Sequence, residues 1–333
     1  MSVHDTPLTV LGAGAWGTAL AARAAHAGAP VRLWGRDAGT IAAINHQRRN
    51  LTYLPDVQLP EGITGYASAS EALAGVHDVL LAGPTSAFNE LLAFVAEHVT
   101  HPRVVWACKG LERETGRFLS DVVAERLGAQ VPCAIISGPT FAAEVARGLP
   151  TAVVVAANDE GFAASLTARL HQPCFRVYES DDIAGVQLGG AAKNVFAIAA
   201  GIADGLGFGA NARAALIARG LAEMARLAEH CGGRAETLMG LAGMGDLVLT
   251  CTDDQSRNRR YGLALGRGMD AKAALAETGK VVEGMLACRD FSALAQKWSL
   301  DLPIMAQVNQ VVWHAVAPRD AVGELLARAP TRE

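Results

Sequence analysis

Five lysines stand against twenty-four arginines in this chain, so a lysine set among small or apolar residues invites a reason why arginine was not used. Lys193 is one such residue, in the stretch Leu188-Gly-Gly-Ala-Ala-Lys193-Asn194-Val-Phe-Ala-Ile. The small residues before it leave room for a ligand, and the apolar residues after it would desolvate the amine, which lowers an amine's pKa. An amine so placed can accept the proton of an alcohol and return it to a carbonyl oxygen. The plainer alternative is a lysine that snorkels from an amphipathic helix. Lys109 is the second case: it follows the β-branched run 104–107 and precedes Gly110, at the strand end where open α/β sheets bind ligands.

Three polar stretches offer partners. Gly240-Leu-Ala-Gly243-Met-Gly245-Asp246-Leu reads as a glycine-rich turn with one carboxylate; Asp246 orients Lys193, bonds a substrate hydroxyl, or only shapes the turn. The run from Thr250 to Arg260 contains Ser256, Arg257 and Asn258 in succession. These are the donor types that grip a phosphate, although a solvated polar loop has the same composition. Ser137-Gly138-Pro139-Thr140-Phe141-Ala142 follows a short apolar run and offers backbone N–H groups and a hydroxyl to an anion, or serves simply as a strand-to-helix turn.

The motif with the most structural context lies near the start. Leu8-Thr-Val-Leu-Gly12-Ala-Gly14-Ala15-Trp16-Gly17 places GxGxxG between a strand and an alanine-rich helix. Gly12 permits the tight turn, Gly14 lets a pyrophosphate approach the backbone, and Gly17 lets helix and strand pack closely, with the helix N-terminus at Ala15 facing the phosphates. A nicotinamide dinucleotide is the expected ligand. The next strand ends Trp34-Gly35-Arg36-Asp37, where Arg36 could accept a 2′-phosphate and so favour NADPH over NADH. Asp37 next door would exchange roles with it after one residue of boundary shift, and a strand-end arginine can also be merely solvated.

These residues need a scaffold. Residues 8–11, 31–34, 79–82, 104–107, 134–136, 153–156 and 175–178 read as buried strands, alternating with helix candidates 15–27, 38–45, 86–98, 118–127 and 160–170. That order predicts a Rossmann-type, doubly wound, mostly parallel sheet. Beyond about 180 the helical periodicity dominates, at 183–203, 212–230, 235–238, 261–266, 271–275, 282–297 and 303–312. The expected division is a dinucleotide-binding domain over 1–180 and an all-α substrate and catalytic domain over 181–333. Within the second, Asn211 is an expected N-cap, Gly232-Gly233 a stop, and Arg219 and Glu223 an exposed i,i+4 pair.

Composition excludes other classes. A formal charge of −4 and a pI near 6.1 give no general attraction to nucleic acid or anionic membranes, so any bound anion must be captured locally. The six cysteines form no CxxC unit and the nine histidines no HxxxH cluster; no metal is expected. The first twenty residues do not read as a signal peptide, and the most apolar helix, 195–202, bounded by Lys193 and Asp204, falls far short of a membrane span. A cytoplasmic protein is expected, with association into a homodimer left open.

Taken in order, GAGAWGTALA from Gly12, NLTYLP from Asn50, Lys109-Gly110, SGPTFAAEVARGLPTA from Ser137, AAKNVFAIAAGIADGLGFGAN through Lys193, GLAGMGDLVLTCT through Asp246, QSRNRR through Arg257 and Val282-Glu283-Gly284 resemble the bacterial NAD(P)-dependent glycerol-3-phosphate dehydrogenases over nearly the whole chain. The resemblance implies interconversion of dihydroxyacetone phosphate and sn-glycerol 3-phosphate, the latter a backbone for phospholipids. It implies Lys193 as proton donor and acceptor, with Lys109, Gly138, Thr140, Asp246, Ser256, Arg257 and Asn258 on the substrate. Cofactor contacts would come from the glycine loop with Ala15 and Trp16, and from Arg36, Lys109, Ala142, Arg257, Val281 and Glu283. One departure is visible: the family tends to Val-Pro-Ser with a nearby arginine where this chain has Gly83-Pro84-Thr85-Ser86 and Asn89. The rival readings are a β-hydroxyacid-type dehydrogenase and a dinucleotide-binding module without turnover. A lactate-type histidine mechanism is disfavoured, since no histidine lies between His171 and His230.

Overall fold

Short β-branched and leucine-rich runs form the strands of one eight-stranded sheet, buried on both faces except at its two edges, where 63–66 and 175–180 expose alternate residues, so the expectation of a buried strand at 175–178 is corrected. In chain order the elements are β1 (Leu8–Leu11), α1 (Ala15–His26), β2 (Val31–Trp34), α2 (Ala38–Gln47), β3 (Ile63–Tyr66), α3 (Ala69–Leu73), β4 (Asp78–Leu81), α4 (Phe88–His98), β5 (Arg103–Trp106), α5 (Leu119–Leu127), β6 (Cys133–Ser137), α6 (Ala142–Ala146), β7 (Thr151–Ala157), α7 (Glu160–Leu170), β8 (Phe175–Ser180) and α8 (Ile183–Gly205). The computed structural model describes residues 6–113, 115–279 and 282–329, and its two compact units divide between Val186 and Gln187, inside α8.

The strand order is β3-β2-β1-β4-β5-β6-β7-β8. Its first six strands follow the 3-2-1-4-5-6 order of dinucleotide-binding folds, in which β1 sits at the topological switch point. Every pair is parallel except β6 with β7. The exception has a local cause: α6 has five residues and so rises only about 7.5 Å, too little to carry the chain back to the starting end of the sheet. The mostly parallel doubly wound expectation therefore holds. Strand β3 was not expected; Ile63-Thr-Gly-Tyr66 has a weak strand pattern, and it is held as an edge by Asn45, which donates to the Gly65 carbonyl and accepts from the Gly65 N–H.

The second unit continues through α9 (Gly209–His230), α10 (Ala235–Leu238), a π-helical turn at Leu241–Gly245, α11 (Asp246–Thr252), α12 (Arg257–Gly266), α13 (Ala271–Thr278), α14 (Glu283–Trp298), α15 (Pro303–His314) and α16 (Pro318–Leu326). Its described residues are helical apart from connections. Four expectations need correction. Helix α8 has 23 residues and is long and apolar enough to cross a bilayer by length and composition, but 89% of its most apolar window is buried within the protein. Asn211 is not the N-cap of α9, which begins two residues earlier after Phe208. Helix α12 starts at Arg257 rather than 261, because Ser256 caps it by accepting from the Arg259 N–H. Glu223 is not on an exposed face: it is 2% exposed and accepts from the Ile304 and Met305 N–H groups at the start of α15.

Burial pushes the Glu223 carboxyl up to about 7, against the two backbone hydrogen bonds that favour its charge. A carboxyl whose folded pKa lies above its unfolded value favours folding at acid pH, and that contribution fades as pH rises through the folded pKa. Glu223→Gln is therefore expected to gain stability over the native protein between pH 5 and 8, by up to about 3 kcal/mol. Melting curves of the two proteins that stay parallel across that range would remove the claim.

Candidate active site

In the first unit, the glycine loop, Lys109 and the Ser137–Ala142 stretch all follow strands that run in one direction, β1, β5 and β6, so they gather at the carboxyl edge of the sheet. Gly12 has φ +127°, and a Cβ there would lie 2.9 Å from the Ala82 and Gly83 backbone. At Gly17 a Cβ would fall 1.9 Å from the Gly12 carbonyl oxygen, whereas Gly14 has nothing within 4 Å. The loop is thus tight where helix and strand meet and open in front of Gly14, which fits a pyrophosphate laid on the N-terminus of α1. The Trp16 indole Nε1 is buried beside it without a hydrogen-bond partner.

The Arg36 and Asp37 alternatives separate. Asp37 caps α2 by accepting from the Thr40 N–H at 2.6 Å, and its bonding to Thr40 holds the carboxyl below the usual range. Arg36 is largely exposed and lies 3.8 Å from Glu90. Lys109 Nζ donates to the Gly138 carbonyl at 2.9 Å and to Thr140 Oγ1 at 3.4 Å, so three of the expected residues form one cluster. Ala142 opens α6 immediately beyond it. The departing segment is internally consistent: Asn89 donates to the buried Glu112 carboxylate at 2.9 Å, and a Cβ on Gly110 would meet Thr85 Oγ1 at 2.7 Å.

In the second unit, Lys193 projects from the middle of α8 and its side chain is only 9% exposed. Its ammonium donates to the fully buried Asp246 carboxylate and, at 2.9 Å, to Thr250 Oγ1. Asp246 and Thr250 lie four residues apart on α11 and so share a face. The expected glycine-rich turn before Asp246 is instead one π-helical turn. Its glycines serve close approach: a Cβ on Gly243 would sit 2.1 Å from the Leu238 carbonyl oxygen, and one on Gly189 of α8 would sit 2.5 Å from that of Ala242. The snorkelling alternative for Lys193 is excluded by this burial. Next to Thr250, burial pushes the Cys251 thiol up to about 12, so it offers no thiolate nucleophile near neutral pH.

The polar run from Ser256 to Arg260, expected to grip a phosphate, resolves residue by residue. Ser256 is buried as the cap of α12, Arg257 is exposed, and Arg259 is buried in an ion pair with Asp204 at 2.6 Å. Asn258 donates to Asn194 Oδ1 and accepts from the Gly284 N–H, each at 2.9 Å. It therefore joins the residue after Lys193 to the first turn of α14, where Glu283 lies. Val281 lies outside the described residues. Sequence reasoning missed Thr250 and Asn194. The signals were present as Asp-x-x-x-Thr at helical spacing and as the amide adjoining the lysine, but the first required α11 to be seen as a helix.

A buried ammonium paired with a carboxylate and a hydroxyl can give up and take back a proton. Residues 7–163 match the model of the NAD-dependent glycerol-3-phosphate dehydrogenase N-terminus, and residues 182–323 that of the C-terminus. The chain is 55% identical to the glycerol-3-phosphate dehydrogenase [NAD(P)+] of Thioalkalivibrio sulfidiphilus over 98% of both chains. It is 49% identical to that of Haemophilus influenzae over 99% of both. The crystal structure of glycerol-3-phosphate dehydrogenase from Coxiella burnetii superposes with a TM-score of 0.92 at 48% identity, covering 97% of this chain and 99% of that one. D-mandelate dehydrogenase, at 14% identity and a TM-score of 0.60, shares the fold.

Proposed function

The chain belongs to the NAD-dependent glycerol-3-phosphate dehydrogenase family, and from that membership we propose that it reduces dihydroxyacetone phosphate reversibly to sn-glycerol 3-phosphate in the cytoplasm, with Lys193 as the proton donor and acceptor. It is an oxidoreductase acting on a CH–OH group, and its product feeds glycerophospholipid synthesis. The observation that carries the role of Lys193 is its burial against Asp246 and Thr250.

The Gly12–Gly17 loop, open at Gly14 and backed by the start of α1, holds the pyrophosphate, with Arg36 left to meet a 2′-phosphate because Asp37 is committed to Thr40. When bound, the reduced nicotinamide supplies a hydride to the substrate's carbonyl carbon. Lys193 hydrogen-bonds the carbonyl oxygen, steadies the negative charge that grows there, and gives up the proton that completes the alcohol. Asp246 stabilises the ammonium form and so draws a proton back onto the neutral amine; Thr250 fixes the direction of the Nζ–H bonds. Exposed Arg257 grips the substrate phosphate, while Asn258 holds the start of α12 against Asn194 and Gly284.

Mixing the protein with NADPH or NADH and dihydroxyacetone phosphate, and following nicotinamide absorbance, tests this reading. Oxidation of both dinucleotides, with the lower KM for NADPH, is expected; turnover confined to a hydroxyacid would favour the β-hydroxyacid rival, and none at all the binding module. Arg257→Leu is expected to raise KM for dihydroxyacetone phosphate on the order of a hundredfold with a much smaller change in kcat. An unchanged KM would take the phosphate away from Arg257.

A further inference from the structure

The stretch Asn50-Leu-Thr-Tyr-Leu-Pro takes no part in the chemistry above, yet its first residue is fully buried. The Asn50 side-chain amide donates twice, to the Ala13 carbonyl at 2.9 Å and to Thr18 Oγ1 at 2.8 Å. Its Oδ1 accepts from the Tyr53 N–H at 3.2 Å, and its backbone carbonyl accepts from the Leu54 N–H at 2.8 Å. One side chain therefore fastens a turn to a point 37 residues earlier in sequence, the middle of Gly12-Ala13-Gly14.

The consequence follows from the planarity of the peptide unit. The Ala13 carbonyl and the Gly14 N–H belong to one plane and point to opposite sides of the chain. Holding the carbonyl against a buried amide fixes where that N–H points, and Gly14 is the glycine with open space before it. The restraint is needed because glycines on either side leave the Ala13 peptide free to rotate. The second bond, to Thr18 near the start of α1, locks the loop to the helix N-terminus.

We infer that Asn50 is a positioning residue for the dinucleotide: it aims the Gly14 N–H at the pyrophosphate. The inference rests on the glycine loop being the dinucleotide site. Asn50→Asp keeps the size of the side chain and its acceptor for Tyr53 but removes both donors, and Asn50→Ala removes them without burying a charge should the first variant not fold. Full-length native and variant proteins are titrated calorimetrically with ADP-ribose, which carries the pyrophosphate, and with adenosine 2′-phosphate, which does not. The expected result is about tenfold weaker binding of ADP-ribose, unchanged binding of adenosine 2′-phosphate, and a raised KM for NADPH at nearly constant kcat. Unchanged ADP-ribose affinity overturns the inference, as does an equal loss for both ligands, which would mark general loosening of the unit. Native protein that fails to bind ADP-ribose overturns the dinucleotide reading itself.

Discussion

Replacing Lys193 by methionine is expected to lower kcat for dihydroxyacetone phosphate reduction by roughly a thousandfold or more, with NADPH affinity nearly unchanged because Lys193 is not among the residues expected to hold the dinucleotide. Methionine keeps an unbranched chain one heavy atom shorter and removes the proton and the charge. A second effect has to be separated from the first. Asp246 is fully buried, and without the ammonium it loses the ion pair that offsets its burial, which costs about 3–5 kcal/mol. The double variant Lys193→Met with Asp246→Asn removes that charge, so it is expected to recover much of the lost stability while turnover stays low. Steady-state kinetics and thermal melts on the two variants distinguish the roles: turnover that returns with stability would make Lys193 a structural ion-pair partner, and turnover retained in the single variant would end the proton-transfer assignment outright.

The sheet was legible because buried strands are continuous β-branched runs, and seven strands announce themselves, although β8 at the far edge exposes alternate residues. The eighth, β3, is an edge strand whose Gly65 backbone is held by the Asn45 side-chain amide, a device that hydrophobic pattern does not encode. The same limit governs the site. Lys193 stood out by rarity and setting, and Asp246 by being the one carboxylate in a glycine-rich stretch. Local patterning reads glycines as turns, yet around Asp246 they permit a π-helical turn to press against neighbouring backbone, so α11, and with it Thr250, was hidden. Polar runs mislead in the opposite sense: Ser256 to Arg260 is mostly the capped first turn of a helix, and only contacts made at a distance tell exposed Arg257 from Arg259, which is spent on Asp204. Asn50 has no role that its neighbours in sequence reveal, because its partners are 37 and 32 residues away.

Gly262→Ala sets local propensity against packing, and the two predict opposite signs. In a helix interior alanine is favoured over glycine by about 1 kcal/mol, so propensity alone expects a more stable protein. Gly262 lies within α12, however, and a Cβ there would sit 2.0 Å from the Ile198 carbonyl oxygen on α8; Gly201 of α8 reciprocates, its Cβ falling 2.1 Å from the Arg259 carbonyl oxygen. Two helix backbones meet here with no side chain between them. The obstacle is backbone on both sides, so neither helix can yield as a flexible side chain would, and a loss of more than about 3 kcal/mol is expected. Gly323→Ala is the control, since its Cβ meets nothing within 4 Å on α16; there the propensity gain of up to about 1 kcal/mol should appear. Because this crossing sets α12, which carries Arg257 and Asn258, against the helix that carries Lys193, Gly262→Ala is also expected to raise KM for dihydroxyacetone phosphate in whatever fraction remains folded. A melting temperature for Gly262→Ala equal to or above the native one would show that the two helices part without penalty, and the glycines would lose their role in holding the proposed phosphate grip and proton donor in register.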